Sequence, residues 1–305
     1  MPSDTDGARP CGACLQVCAR NLRAKLLKRR EWGRGVCAEG VRKVRSGKLV
    51  AAFAVLLVVS FAVMNAMPSD TLLAALLQEA VLALVAFAAV GFAIPDALKC
   101  CTKSVQQRNT VRFTATALLL TGLVGGAITL LAWLFAGGGT MACFASTALP
   151  STADLMENLL LLLGICLLTG LYEESFMRVL GIEAFERALD TKRAILASAA
   201  LFALLHVGAP DVSAGQLVLL QTALKFGQAL LFGVILGALY VRTRRLWPCA
   251  FIHAGFDVLY MAPNMLLTGT MPETYASGAV GDTVLLAVSV LMLSGIVLKI
   301  RKEIA

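Results

Sequence analysis

"LLLLLGICLLTGLYEESFMRVLG", residues 159–181, decides how this chain is read. Its first half is apolar enough to dissolve in lipid, while its second half carries Glu173, Glu174 and Arg178. Charged groups are costly in hydrocarbon, and proteins that keep them there generally use them. The stretch therefore predicts a membrane helix and, at its end, a working set of ionisable groups.

The rest of the chain agrees with a membrane setting. Of 305 residues, 58% are hydrophobic and 15% charged, against about half and a quarter in soluble domains. The net charge of +8 is confined to one place. Residues 1–48 hold twelve Lys/Arg and four Asp/Glu, and the remaining 15 basic and 15 acidic residues cancel. A basic tail beside a membrane span sets orientation and attracts anionic lipid. No nucleic-acid-binding motif follows it, so nucleic acid is excluded as a partner. The first apolar run begins only after this long charged tail, unlike a cleavable signal peptide.

A membrane-crossing helix needs roughly 20 mainly apolar residues. Eight segments answer to that: 49–66, 71–94, 113–136, 157–180, 194–214, 216–241, 247–265 and 280–299. Polar residues interrupt the fifth and seventh. These runs are too long and unbroken for alternating barrel strands. The expected fold is an all-α polytopic membrane bundle of about eight helices, with residues 1–48 as a tail and 49–305 as the bundle.

The connections alternate in charge. The tail, 99–112, 186–193, 242–245 and 299–303 are all basic, whereas 67–71, 137–157, 208–215 and 268–282 contain no Lys or Arg. The positive-inside rule then places both termini in the cytoplasm. The Ala-, Leu- and Gly-rich composition suits a bacterial inner-membrane protein.

Within the spans stand Glu79, Glu173, Glu174, Arg178, His206, Lys225, His253 and Asp257. Both histidines of the sequence are among them, and histidine is the side chain suited to proton transfer near neutral pH. Residues four apart share a helix face. Glu174 can thus pair Arg178, Asp257 can hold one ring nitrogen of His253 and leave the other for chemistry, and Phe202 can wall a pocket beside His206. Alone, the Glu174–Arg178 pair is a structural feature, and either histidine could simply bond a neighbouring helix. One arginine cannot satisfy two carboxylates, however, so Glu173 is left for a general base. Glu79 and Lys225 lie at matching depth from the same face, which suggests an interhelical pair and leaves a snorkelling Lys225 or a protonated Glu79 as alternatives.

E-E-x-x-x-R (Glu173, Glu174, Arg178), F-x-x-x-H (Phe202, His206) and H-x-x-x-D (His253, Asp257), in that order on three spans, resemble the CPBP family of CAAX-processing and bacteriocin-processing intramembrane proteases. This family includes the type II CAAX prenyl endopeptidases. The resemblance covers about 155–262, the expected catalytic core. It implies peptide hydrolysis at a site open to the cytoplasm, near the cytoplasmic membrane face. Glu173 and His206 would activate a water, His253 and Asp257 would stabilise the oxyanion or complete the water site, and Glu174 and Arg178 would hold the helix. The family is commonly described as metalloproteases. Zinc held by Glu173, His206, His253 and Asp257 therefore stays open beside a metal-free Glu/His mechanism, since no H-E-x-x-H occurs. An ionised Asp257 cannot donate to an oxyanion, which puts that role in doubt where relatives carry Asn. The implied partners are membrane lipid and a peptide or membrane-protein substrate.

Two features lie outside these motifs. Cys11, Cys14, Cys18 and Cys37 fit no standard zinc-ribbon spacing and read as reduced thiols of a cytoplasmic tail. "RNLRAKLLKRREW", residues 20–32, gathers leucines among basic residues as a membrane-surface helix would. The competing readings are a non-catalytic immunity or scaffold protein of the same fold and a small transporter. No internal repeat supports the transporter.

Overall fold

The computed structural model describes residues 47–67, 71–99, 104–135, 150–207, 215–271 and 276–304. The cysteine-containing tail and its expected surface helix lie outside the described residues. Eight long helices run through the described chain: α1 Gly47–Ala66, α2 Leu72–Ala93, α3 Val105–Phe135, α4 Thr152–Glu173, α5 Thr191–Val207, α6 Gln216–Thr243, α7 Leu246–Thr268 and α8 Val280–Ile304. No strand occurs among the described residues. Each helix falls on one of the eight expected segments, and the protein is an all-α polytopic membrane bundle.

Six of the helices are long and apolar enough by themselves to cross a membrane. The exceptions are the two that sequence marks as interrupted. Helix α5 has 17 described residues, and α7 carries His253, Asp257 and Asn264. Protein solvates those polar groups, because α7 is packed between α3 and α4, and α5 against α6.

Local sequence sets the helix ends. Ser151 and Asp154 form a reciprocal capping box, with Asp154 N–H donating to Ser151 Oγ at 3.2 Å and Ser151 N–H to Asp154 Oδ2 at 3.0 Å. Helix α7 stops at Gly269, whose φ of 66° suits a residue without Cβ. Helix α4 does not end at Glu173. It continues as a nine-residue π-helix, Glu174–Ile182, every residue of which is buried.

Neighbours are joined in the order α2–α4–α7–α3–α8–α6–α5, and the π-helix touches α2, α5, α6 and α7. Outward faces are strongly apolar: Phe61, Leu84 and Leu291 are 73%, 72% and 72% exposed. A water-soluble fold would bury such faces, but lipid accepts them.

Hydrogen bonds tie the connections into two ends. At one end Trp247 Nε1–H donates to Leu98 O at 2.7 Å, Gln107 Nε2–H to Arg242 O at 3.0 Å, and Arg245 to Asp96 O. Arg244 binds Glu183 and Glu186 there, both at 2.7 Å. Burial opposes ionisation of Glu186, but its hydrogen bonds to Arg244 outweigh that and hold the carboxyl below its usual value. At the other end Gln78 reaches Met67 O at 3.0 Å, Asn158 reaches Leu266 O at 3.2 Å, and Gln221 reaches Ala279 O at 2.7 Å. The described basic connections thus share one end, and the described parts of those without Lys or Arg share the other.

Candidate active site

The π-helix begins where the chemistry begins. Its wider turn follows directly on Glu173, and π segments inserted in α-helices recur at functional sites. Glu174 and Arg178 both lie inside it and are fully buried, with Arg178 Nε 3.1 Å from Glu174 Oε2. The Arg178 guanidinium also sits 4.5 Å from the Phe202 ring centroid, a cation–π contact that helps a buried cation. The expected pair therefore exists, and it is shared with a third group. Glu174 Oε1 accepts from His253 Nδ1 at 2.8 Å.

That last bond adds a second partner to His253. The local i,i+4 spacing offered Asp257, which approaches Nε2, and Glu174 from a different helix takes Nδ1. The reason is a close approach of α4 and α7. Gly170 lies so near the Ala250 carbonyl that a Cβ there would stand 2.6 Å from its oxygen. Backbones that meet this closely bring Glu174, one turn on from Gly170, to His253, three residues on from Ala250. Nε2 of His253 is left facing two carboxylates, Asp257 Oδ2 at 3.3 Å and Glu173 Oε2 at 3.5 Å.

His206 arrives from α5. Its Nδ1 donates to the Phe202 carbonyl at 2.9 Å. A carbonyl only accepts, so in the neutral ring the lone pair is on Nε2. That Nε2 stands 3.9 Å from Glu173 Oε1. Such a separation is too long for a direct hydrogen bond and suits a bridging water. Phe202 stacks beside His206 at 4.1 Å between ring centroids, as the F-x-x-x-H spacing predicts. Glu173, His206, His253 and Asp257, from three helices, thus converge on one point.

Phe232 of α6 is a wall residue that sequence spacing did not reveal. It meets His253 edge-on at 4.8 Å and Phe256 at 4.8 Å. It belongs to a separate helix from every motif, so no local spacing signals it.

The four groups border a cavity of about 1440 Å³ that also exposes Thr169, Gln228 and Tyr260. Glu173 and His206 are the more open members, 19% and 27% exposed. The cavity does not run toward the end that bears the basic connections. Below the site at that end, Arg178, Leu180, Ile182, Tyr240, Leu246 and Cys249 are sealed at 0–1% exposure. The cavity instead reaches Thr268, Thr270 and Ser277 at the opposite end.

Glu79 and Lys225 both border this cavity, but they have different partners. Glu79 bonds Thr169 of α4, and Lys225 Nζ donates to Gln228 Oε1 at 3.2 Å. Equal depth fixes height along a helix but not the direction a side chain faces. Helix α2 packs on α4, whereas α6 packs on α5 and α8.

Among the described residues no group of three or more His, Cys, Asp or Glu side chains is disposed to hold a metal ion. The chemistry below is derived from the side chains themselves.

Residues 154–259 match the family model described as Type II CAAX prenyl endopeptidase Rce1-like. The match covers about a third of the chain, holds all three motifs, and nearly coincides with the stretch 155–262 that carries the resemblance. No curated protein matches the chain. At family level this stretch is similar to the type II CAAX proteases.

Proposed function

We propose that the protein is an intramembrane endopeptidase in which Glu173 and His206 activate a water against a peptide bond. The observation that carries this reading is the meeting of Glu173 with His206 Nε2 at 3.9 Å and with His253 Nε2 at 3.5 Å beside one cavity. A water between Glu173 and His206 donates one hydrogen to each acceptor, which aims its free lone pair into the cavity. Glu173 takes the proton as the oxygen attacks the substrate carbonyl carbon. The carbonyl π electrons move to its oxygen, and His253, protonated on both nitrogens, donates from Nε2 to that oxyanion. Glu174 holds the imidazolium by Nδ1 and is itself held by Arg178. Collapse of the intermediate breaks the C–N bond as Glu173 returns its proton to the leaving amine. Asp257, with Oδ2 3.3 Å from His253 Nε2, holds that ring beside Glu173.

The substrate is a peptide or membrane-protein segment, and the protein is a multi-pass protein of the cell membrane with both termini in the cytoplasm. The site serves hydrolysis better than a scaffold role, which requires no free acceptor pair in a cavity. Purified protein in detergent, offered a panel of quenched-fluorescence peptides with and without a chelator, tests the reading. Cleavage that persists with chelator and disappears in Glu173→Gln is expected. Cleavage equal in Glu173→Gln would leave the non-catalytic immunity or scaffold reading.

A further inference from the structure

Glu79 is a partly buried carboxyl at the cavity wall that the three motifs do not contain and the steps proposed above do not use. It comes from α2 and hydrogen-bonds Thr169 of α4. Thr169 stands four residues before Glu173, one helical turn away on the same face. All three side chains border the same cavity. Glu79 lies within electrostatic reach of Asp257 and His253, and of Glu173. Its Oε2 is buried and meets no hydrogen-bond donor among the described residues, a condition it shares with Glu173 Oε2. A buried acceptor without a donor costs stability. Ionisable groups kept at membrane depth at such a cost are generally groups that are used.

The order of the helices points to the missing donor. Helices α2, α4 and α7 pack in that order, so Glu79, Glu173 and His253 come from three successive helices with the base in the middle. A trans peptide group presents its C=O on one edge and its N–H on the opposite edge. With the scissile carbonyl oxygen at His253 Nε2 and its carbon before Glu173, the N–H is directed toward α2. We propose that Glu79 accepts the hydrogen bond of the scissile N–H and keeps it while the amine leaves. No proton is transferred at Glu79. Glu173 takes the proton from water and returns it to nitrogen, as the C–N bond breaks. Glu79 holds the N–H bond that persists, which turns the lone pair of the now tetrahedral nitrogen toward the proton on Glu173. Thr169 is the positioning residue that keeps Glu79 against the α4 wall. The substrate class that gains from this contact is the secondary amide. An ester has no N–H and gains nothing from Glu79.

The assignment rests on the hydrolysis proposed above, and an amide–ester comparison reports on the two separately. Purified wild type, Glu79→Met and Glu173→Gln in detergent are each given a quenched-fluorescence peptide and the same peptide with an ester in place of its scissile amide. Glu79→Met is expected to lower kcat/KM for the amide by roughly 10–100-fold, the worth of a lost buried hydrogen bond, and for the ester by less than ~3-fold. Glu173→Gln is expected to lose both activities, because both need the activated water. Thr169→Val, which releases Glu79 and keeps the side-chain size, is expected to shift the amide-to-ester ratio in the same direction. It is the variant to read should Glu79→Met fail to fold. A merely structural Glu79 would lower amide and ester cleavage equally, and that result would overturn the assignment. So would amide cleavage equal to wild type. Either leaves the Glu173-dependent hydrolysis standing, whereas a wild type inert toward both substrates would end the hydrolase reading and this assignment with it.

Discussion

Glu173 and Glu174 are adjacent in sequence and occupied by different tasks. Glu174 is fully buried between Arg178 and His253, so its charge is spent on holding neighbours in place. Glu173 faces the cavity with His206 on one oxygen and His253 on the other. Replacing each by its amide therefore has distinct consequences. Glu173→Gln is expected to lower turnover by ~10²–10⁴, the usual worth of a general base, with thermal unfolding in detergent unchanged. Glu174→Gln and Arg178→Met each leave a buried charge without its counterpart and are expected to cost about 3–5 kcal/mol. The double variant should lose less than the two added together, because the stranded charge is gone. Unfolding of the two single variants and the double measures this, and strict additivity would contradict the pair.

At the scale of the elements, the contact between α4 and α7 sets the active-site distances. Gly170→Ala would force a Cβ to 2.6 Å from the Ala250 carbonyl oxygen, so the helices must separate and Glu174 must withdraw from His253. Loss of both melting temperature and cleavage is expected. Gly91→Ala, where a Cβ would meet only Leu98 Cδ1 at 3.8 Å, should spare both. The turn after the π-helix gives a pH signature. Arg244 depresses the folded-state value of Glu186, so its stabilisation is complete above the unfolded glutamate value near ~4.3. It is lost as pH falls through the lower folded value. Thermal melts on acidification should fall less steeply for Glu186→Gln than for wild type. The eight helices were legible because about 20 apolar residues are needed to cross lipid and little else produces such runs. The π-helix was not, since hydropathy is blind to whether N–H groups bond four or five residues back. The partners Thr169 of Glu79 and Gln228 of Lys225 were hidden for a related reason. Rise per residue gives depth, while the partner of a side chain depends on which helices pack together. The expected approach of Asp257 to one ring nitrogen of His253 is present at Nε2, whereas Glu174 on Nδ1 comes from a tertiary approach at Gly170 that local spacing cannot foresee.

For the whole molecule, the bundle is asymmetric along the membrane normal. One half is a solid layer carrying the basic connections, and the other holds a cavity that ends among connections without Lys or Arg. Polar groups that lipid would reject face inward from α2, α4, the π-helix, α5, α6 and α7, where protein surrounds them. The apolar faces of α1, α2 and α8 are turned outward. Such a body offers a cavity for water, which the proposed hydrolysis inside a membrane requires. The most direct measurement is a comparison of new peptide termini, by mass spectrometry, in membranes of cells producing wild-type protein or Glu173→Gln at equal levels. The account predicts a set of termini present with the wild type and absent with Glu173→Gln. Identical sets would contradict it.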